Sequence, residues 1–93
     1  MAEPLKVLIV DDSAIYRSLV QGCLRDMPDL RCVGTAHDGK DAIAKAEELR
    51  PDLILLDDEM PVMNGVEAMP KLRKLLAEAG IIMVSSLTTD GAN

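Results

Sequence analysis

The chain has no tryptophan and no phenylalanine, and Tyr16 is its single aromatic residue. A platform on which nucleobases stack is therefore excluded, and the core has to be built from Leu, Ile, Val, Ala and Met. Histidine is almost as scarce. His37 is the one copy, so a zinc site with several histidines is impossible, and a His-based triad has one candidate in the wrong place, a predicted loop. Cys23 and Cys32 are too few and too far apart for a metal motif. With no secretory signal, they read as reduced, buried thiols of a cytosolic protein. No apolar run approaches the ~18 residues of a membrane span. Positive charge is in deficit: 10 Lys and Arg against 16 Asp and Glu give a formal net charge of −6. That balance argues against nucleic acid or an anionic membrane as a direct partner.

What is present is a regular alternation. At 93 residues and 48% hydrophobic content, the chain makes at most one small globular domain. Residues 5–10 read as a buried strand that runs into Asp11-Asp12-Ser13, with Ser13 placed to cap a helix. Ile15, Leu19 and Cys23 recur four apart, widened by Val20, Leu24 and Met27, and predict one buried stripe of a helix to about Asp26. Residues 30–36 form a second strand. Asp38-Gly39 predicts a turn, and Asp38 or Asp41 can cap the next helix, whose buried face is Ala42, Ile43, Ala46 and Leu49 and which Arg50-Pro51 ends.

Leu53-Ile54-Leu55-Leu56 then runs straight into Asp57-Asp58-Glu59-Met60-Pro61. A continuous apolar run is the signature of a strand buried on both faces, and Pro61 hands it over to a loop. Asn64-Gly65 predicts a turn in which both residues tolerate positive φ. A third helix is expected from near Val66 to a cap at Gly80, with Pro70 awkward inside it. Residues 81–84 make a fourth strand ending at Ser85. The order β-α-β-α-β-α-β implies right-handed crossovers and a parallel sheet with helices on both faces. In such sheets ligands bind beyond the C-terminal strand ends, where Asp11, Asp12, Asp57 and Ser85 would converge.

Carboxylates held close together repel one another, and a hard divalent cation relieves the repulsion. Mg2+ suits such a site, because it accepts a few carboxylates and keeps waters that phosphate oxygens can replace. A carboxylate beside it can attack phosphorus and form an acyl phosphate. The hydroxyl of Ser85 is placed to meet an equatorial oxygen.

Asp11-Asp12-Ser13, Asp57 with Met60-Pro61, Asn64-Gly65 and Ser85 together resemble, in order and spacing, the receiver domain of two-component response regulators, over essentially the whole chain. The resemblance implies a flavodoxin-like (CheY-like) doubly wound parallel sheet of order 2-1-3-4-5. It implies Asp57 as phosphoacceptor, Asp11 and Asp12 in an acidic Mg2+ pocket, the backbone carbonyl of Glu59 as a further ligand, and Ser85 as switch hydroxyl. The implied donor is a phosphohistidine on a sensor histidine kinase. Asp57-Asp58-Glu59-Met60-Pro61 with Met83-Val84-Ser85-Ser86-Leu87-Thr88 is similar, more narrowly, to the regulatory domain of chemotaxis receptor-glutamate methylesterases. The partner would then be an esterase output domain or a chemotaxis protein, and this chain would not itself be an enzyme, since it has no Gly-x-Ser-x-Gly elbow.

Against the family pattern, residues 1–93 are expected to be a truncated receiver of about four strands and three helices. The fourth helix, the fifth strand with its Lys and aromatic switch residue, and the last helix would be missing. The fourth strand would then be an open edge suited to self-association or domain swapping. Two other readings differ in class: a Mg2+-dependent phosphohydrolase with an aspartyl nucleophile, in which Glu59 would stand for the usual second Asp, and an inactive fragment of the fold.

Overall fold

Leu, Ile and Val dominate three short runs, and these and residues 30–36 become strands in the computed structural model, which describes residues 3–57 and 63–84. The elements are β1 (Leu5–Val10), α1 (Ala14–Arg25), β2 (Leu30–Ala36), α2 (Gly39–Leu49), β3 (Leu53–Asp57), α3 (Gly65–Leu75) and β4 (Gly80–Val84). The strands are parallel, in the order β2-β1-β3-β4. This is the expected flavodoxin-like arrangement for these four strands. β1 and β3 are neighbours, with Val10 opposite Leu56, so Asp11 and Asp57 each follow the last pair of the ladder.

Side chains alternate across the pleat. Leu8, Val10, Ile54 and Leu56 pack under α2 and α3 with Ala42, Ala46, Ala68 and Leu72. Alanines on both helices let them lie close to the sheet and to each other. Val7, Ile9, Leu53 and Leu55 face the other way, against Val20 and Leu24 of α1. Ser13 caps α1, accepting from the N–H of Tyr16 at 3.2 Å. Asp38, not Asp41, caps α2, accepting from the N–H of Asp41 at 2.7 Å.

Several expectations are corrected. The buried line of α1 is Val20 and Leu24, whereas Ile15 is 76% and Leu19 62% exposed. Two rows of four-spaced apolar residues lie side by side on this helix. Among the described residues α1 is the one helix on its face of the sheet, so only the row beneath it is covered. Cys23 belongs to the uncovered row and is exposed, and Cys32 is only partly covered, so neither is the buried thiol expected; both are free. The helix α3 stops at Leu75, not at Gly80. Leu76 and Ala79 turn into the core, and Arg73 Nη1 donates to the carbonyls of Ala77 (3.2 Å) and Ala79 (2.6 Å). Gly80 instead opens β4 opposite Leu53. Pro70 is accommodated inside α3.

Neither predicted turn uses positive φ. Asn64 (φ −78°) caps α3 and accepts from Glu67 N–H at 2.8 Å, while Glu67 Oε1 accepts from Asn64 N–H at 3.2 Å. This reciprocal pair satisfies two N–H groups at once. Gly39 is the first residue of α2, and its N–H donates to the carbonyl of Met63 at 3.0 Å. The reason for glycine here is proximity: a Cβ would fall 2.4 Å from the Met63 oxygen and 2.8 Å from its Cβ.

Two alanine substitutions should therefore move stability in opposite directions. Gly39→Ala forces backbone apart and should cost about 1–3 kcal/mol. Gly22→Ala, inside α1 with nothing within 4 Å of the new methyl, should add about 0.5–1 kcal/mol. Urea midpoints of the two variants check both signs.

Candidate functional site

The site grows out of the ends of β1 and β3. Beyond Val10 the chain keeps one more ladder bond, from Asp11 N–H to the carbonyl of Ala36 at 3.0 Å, and then turns. Asp11 Oδ1 accepts from Ser13 N–H at 2.8 Å, a side-chain-closed turn that Asp favours. Ser13 in turn starts α1. Asp57 is the last residue of β3. The two adjacent strands thus deliver Asp11 (7% exposed) and Asp57 (4% exposed) to one edge, with the exposed Asp12 beside them. Oxygens of all three carboxylates lie within 4.8 Å of one another.

This edge lies between β1 and β3, where the strand order changes direction and where doubly wound sheets form their ligand crevice. A cavity of about 230 Å3 opens there between Asp11 and Asp57, walled by Val20, Leu55 and Val84. The apolar wall lowers the local dielectric. Even at an effective dielectric of about 20, two ionised carboxylates ~5 Å apart repel by roughly 3 kcal/mol. The donor set is all oxygen, with no sulfur or imidazole, and two of its three members are held by strand ends. Such a set fits a hard divalent cation.

The remaining candidates fall elsewhere. Asp58, Glu59, Met60, Pro61 and Ser85 lie outside the described residues; Val84, which precedes Ser85, is the pairing partner of Asp57. His37 is apart from the carboxylate group. Its side chain is 65% exposed and meets Asp41 Oδ2 at 2.9 Å at the start of α2. One participant is invisible in the sequence. Arg17, on α1, reaches back so that its Nη1 donates to the carbonyl of Asp11 at 2.6 Å. Nothing in the spacing distinguishes it from an ordinary solvated arginine.

A protein-family profile described as response regulator receiver domain matches residues 7–92. The chain therefore belongs to the receiver domain family of response regulators, and its closer relatives lie in chemotaxis. It is 47% identical over 88 residues to a protein-glutamate methylesterase/protein-glutamine glutaminase of Desulfotalea psychrophila, covering 95% of this chain and 24% of that protein. Among solved structures it matches the response regulator domain of Thermotoga maritima CheB, with a TM-score of 0.82 and 48% identity over 95% of this chain and 65% of that one. It also matches the complex of the P1 domain of CheA3 with CheY6 from R. sphaeroides, with a TM-score of 0.79 and 40% identity over 97% of this chain and 70% of the matched one. The chain thus spans about a quarter of the length of the curated methylesterase it resembles.

A cation that binds the folded site stabilises it by mass action, by about 2.7 kcal/mol at a hundredfold excess over Kd. Mg2+ should raise the melting temperature of the chain in a saturable way, and the rise should shrink sharply in Asp12→Asn. Differential scanning fluorimetry against Mg2+, with Na+ at matched ionic strength, makes the comparison.

Proposed function

We propose that this receiver domain accepts a phosphoryl group on Asp57. The observation that carries this reading is the convergence of Asp11, Asp12 and Asp57 at one edge. An Asp57 carboxylate oxygen attacks phosphorus, the P–N bond of a phosphohistidine on a sensor histidine kinase breaks, and an acyl phosphate forms while the imidazole leaves. Asp11 and Asp12 would hold Mg2+ with Asp57 and the backbone carbonyl of Glu59. When bound, the ion supplies positive charge to the phosphoryl oxygens. Ser85 would donate its hydroxyl to the phosphoryl group as the switch residue.

The likeness to a receiver crystallised with a CheA P1 domain supports a kinase donor. The likeness to methylesterases supports an esterase output domain, or another chemotaxis protein, as the element that is switched. In this reading the chain is an acceptor in the cytoplasm, and any esterase activity resides in a separate domain. Its match to the receiver family favours this over the phosphohydrolase reading.

Incubation with Mg2+ and acetyl phosphate, followed by intact mass measurement, tests the reading. A single phosphoryl adduct is expected, absent without Mg2+ and absent in Asp57→Asn. An adduct that persists in Asp57→Asn, or none at all with Mg2+ bound, contradicts it.

The outer strand supports self-association as a further property. Among the described residues β4 pairs only with β3, and Ile82 on it is half exposed. An open apolar edge recruits another strand. Sedimentation should give a concentration-dependent increase in mass that Ile82→Lys suppresses; a monomer at all concentrations contradicts it.

A further inference from the structure

The acidic site has a cationic side chain beside it that meets backbone. Arg17 is partly buried on the second turn of α1, and its guanidinium donates to the backbone carbonyl of Asp11 at 2.6 Å. That carbonyl belongs to the peptide joining Asp11 to Asp12. The same short segment is tied at two other points, by Asp11 N–H to Ala36 and by Asp11 Oδ1 to Ser13 N–H. The first fixes the N-terminal side of Asp11, and the second closes the turn across Asp12 from the Asp11 side chain. The Arg17 contact is the one that holds the carbonyl of the Asp11–Asp12 peptide itself, and a hydrogen bond there helps to set the orientation of the whole planar unit.

We propose that Arg17 is a positioning residue for the cation site, orienting the Asp11–Asp12 peptide so that both carboxylates meet Asp57. The proposal rests on the cation-binding reading given above. It makes a prediction whose sign separates positioning from simple electrostatics. A positive charge beside a cation site opposes binding by Coulomb repulsion, so removing it should tighten Mg2+ if charge were its whole effect. Loss of a group that orients a ligand weakens metal binding instead, typically about 10- to 100-fold.

Mg2+ affinity is measured by calorimetry on the whole chain, with the metal alone, for the wild type, Arg17→Met, Arg17→Lys and Asp57→Asn. Methionine keeps an unbranched stem and good helix propensity but removes every donor. The expected result is a Kd raised about tenfold or more in Arg17→Met, with substantial recovery in Arg17→Lys, whose ammonium restores a donor group. Should Arg17→Met not fold, Arg17→Gln carries the same expectation, as its amide is too short to reach the same carbonyl. A Kd equal to or lower than the wild type overturns the proposal, as does a fall in melting temperature with the Kd unchanged, which would mark Arg17 as purely structural. If the wild type binds no Mg2+, the reading of the site itself fails, and the proposal with it. If the wild type binds, Asp57→Asn does not, and Arg17→Met binds normally, the site stands and only the role of Arg17 falls.

Discussion

Two buried strands that run parallel and side by side must end at the same edge of their sheet, and in this chain both end in aspartate. Everything else at the site follows from that constraint. The pairing of Val10 with Leu56 places Asp11 and Asp57 at neighbouring strand ends, and burial of the strands keeps both carboxylates largely away from water. Three carboxylates within 4.8 Å are a costly arrangement on their own. The fold holds them there with apolar strands whose own burial is strongly favourable. Leu8, Ile54 and Leu56 are fully buried, each contributing about 1.5–3 kcal/mol by the usual area measure. The stability of the core is thus the means by which a repulsive cluster is kept assembled, and a divalent cation is the kind of ligand that would remove the repulsion.

Strands β1, β3 and β4 were legible because buried parallel strands leave a plain signal, a short aliphatic run that stops at a polar residue; β2 has no such run, and the strand order came from the resemblance to receiver domains. The acidic cluster was legible for the same reason: Asp11 and Asp57 are the residues at which those runs stop. The helix faces were harder. Periodicity finds apolar rows on α1 but cannot say which row meets the sheet, since Ile15–Leu19–Cys23 and Val20–Leu24 have the same spacing. Glycine misled twice. Gly80 suggests a helix cap and Gly65 a turn, yet neither adopts positive φ. At Gly80 the chain needs room beside Leu53, 3.2 Å from where a Cβ would stand, and at Gly65 the cap is made by Asn64 and Glu67. The contacts of Arg17 with Asp11 and of Gly39 with Met63 leave no sequence signal, because each ends on a backbone carbonyl, a group that every residue has.

The two faces of the sheet are covered differently. Helices α2 and α3 cover one face with closely packed alanines and leucines. The first residue of α2 is bonded to Met63, so Met63 is held on this well-packed side. On the other face α1 leaves Ile15, Leu19 and Ile82 in contact with solvent. Helix α1 is therefore tied to the acidic edge at one end, through Ser13 and Arg17, and thinly covered along its length.

The central claim is that strand-end geometry, not general acidity, makes the cation site. An amide NMR titration with Mg2+ tests it most directly, because the chain carries 16 acidic residues over its whole length and each region reports separately. The account predicts saturable shifts centred on Asp11, Asp12, Ser13 and Asp57, with little change at Glu47, Glu48 or Asp29. Shifts spread evenly over the acidic surface, without saturation, would contradict it.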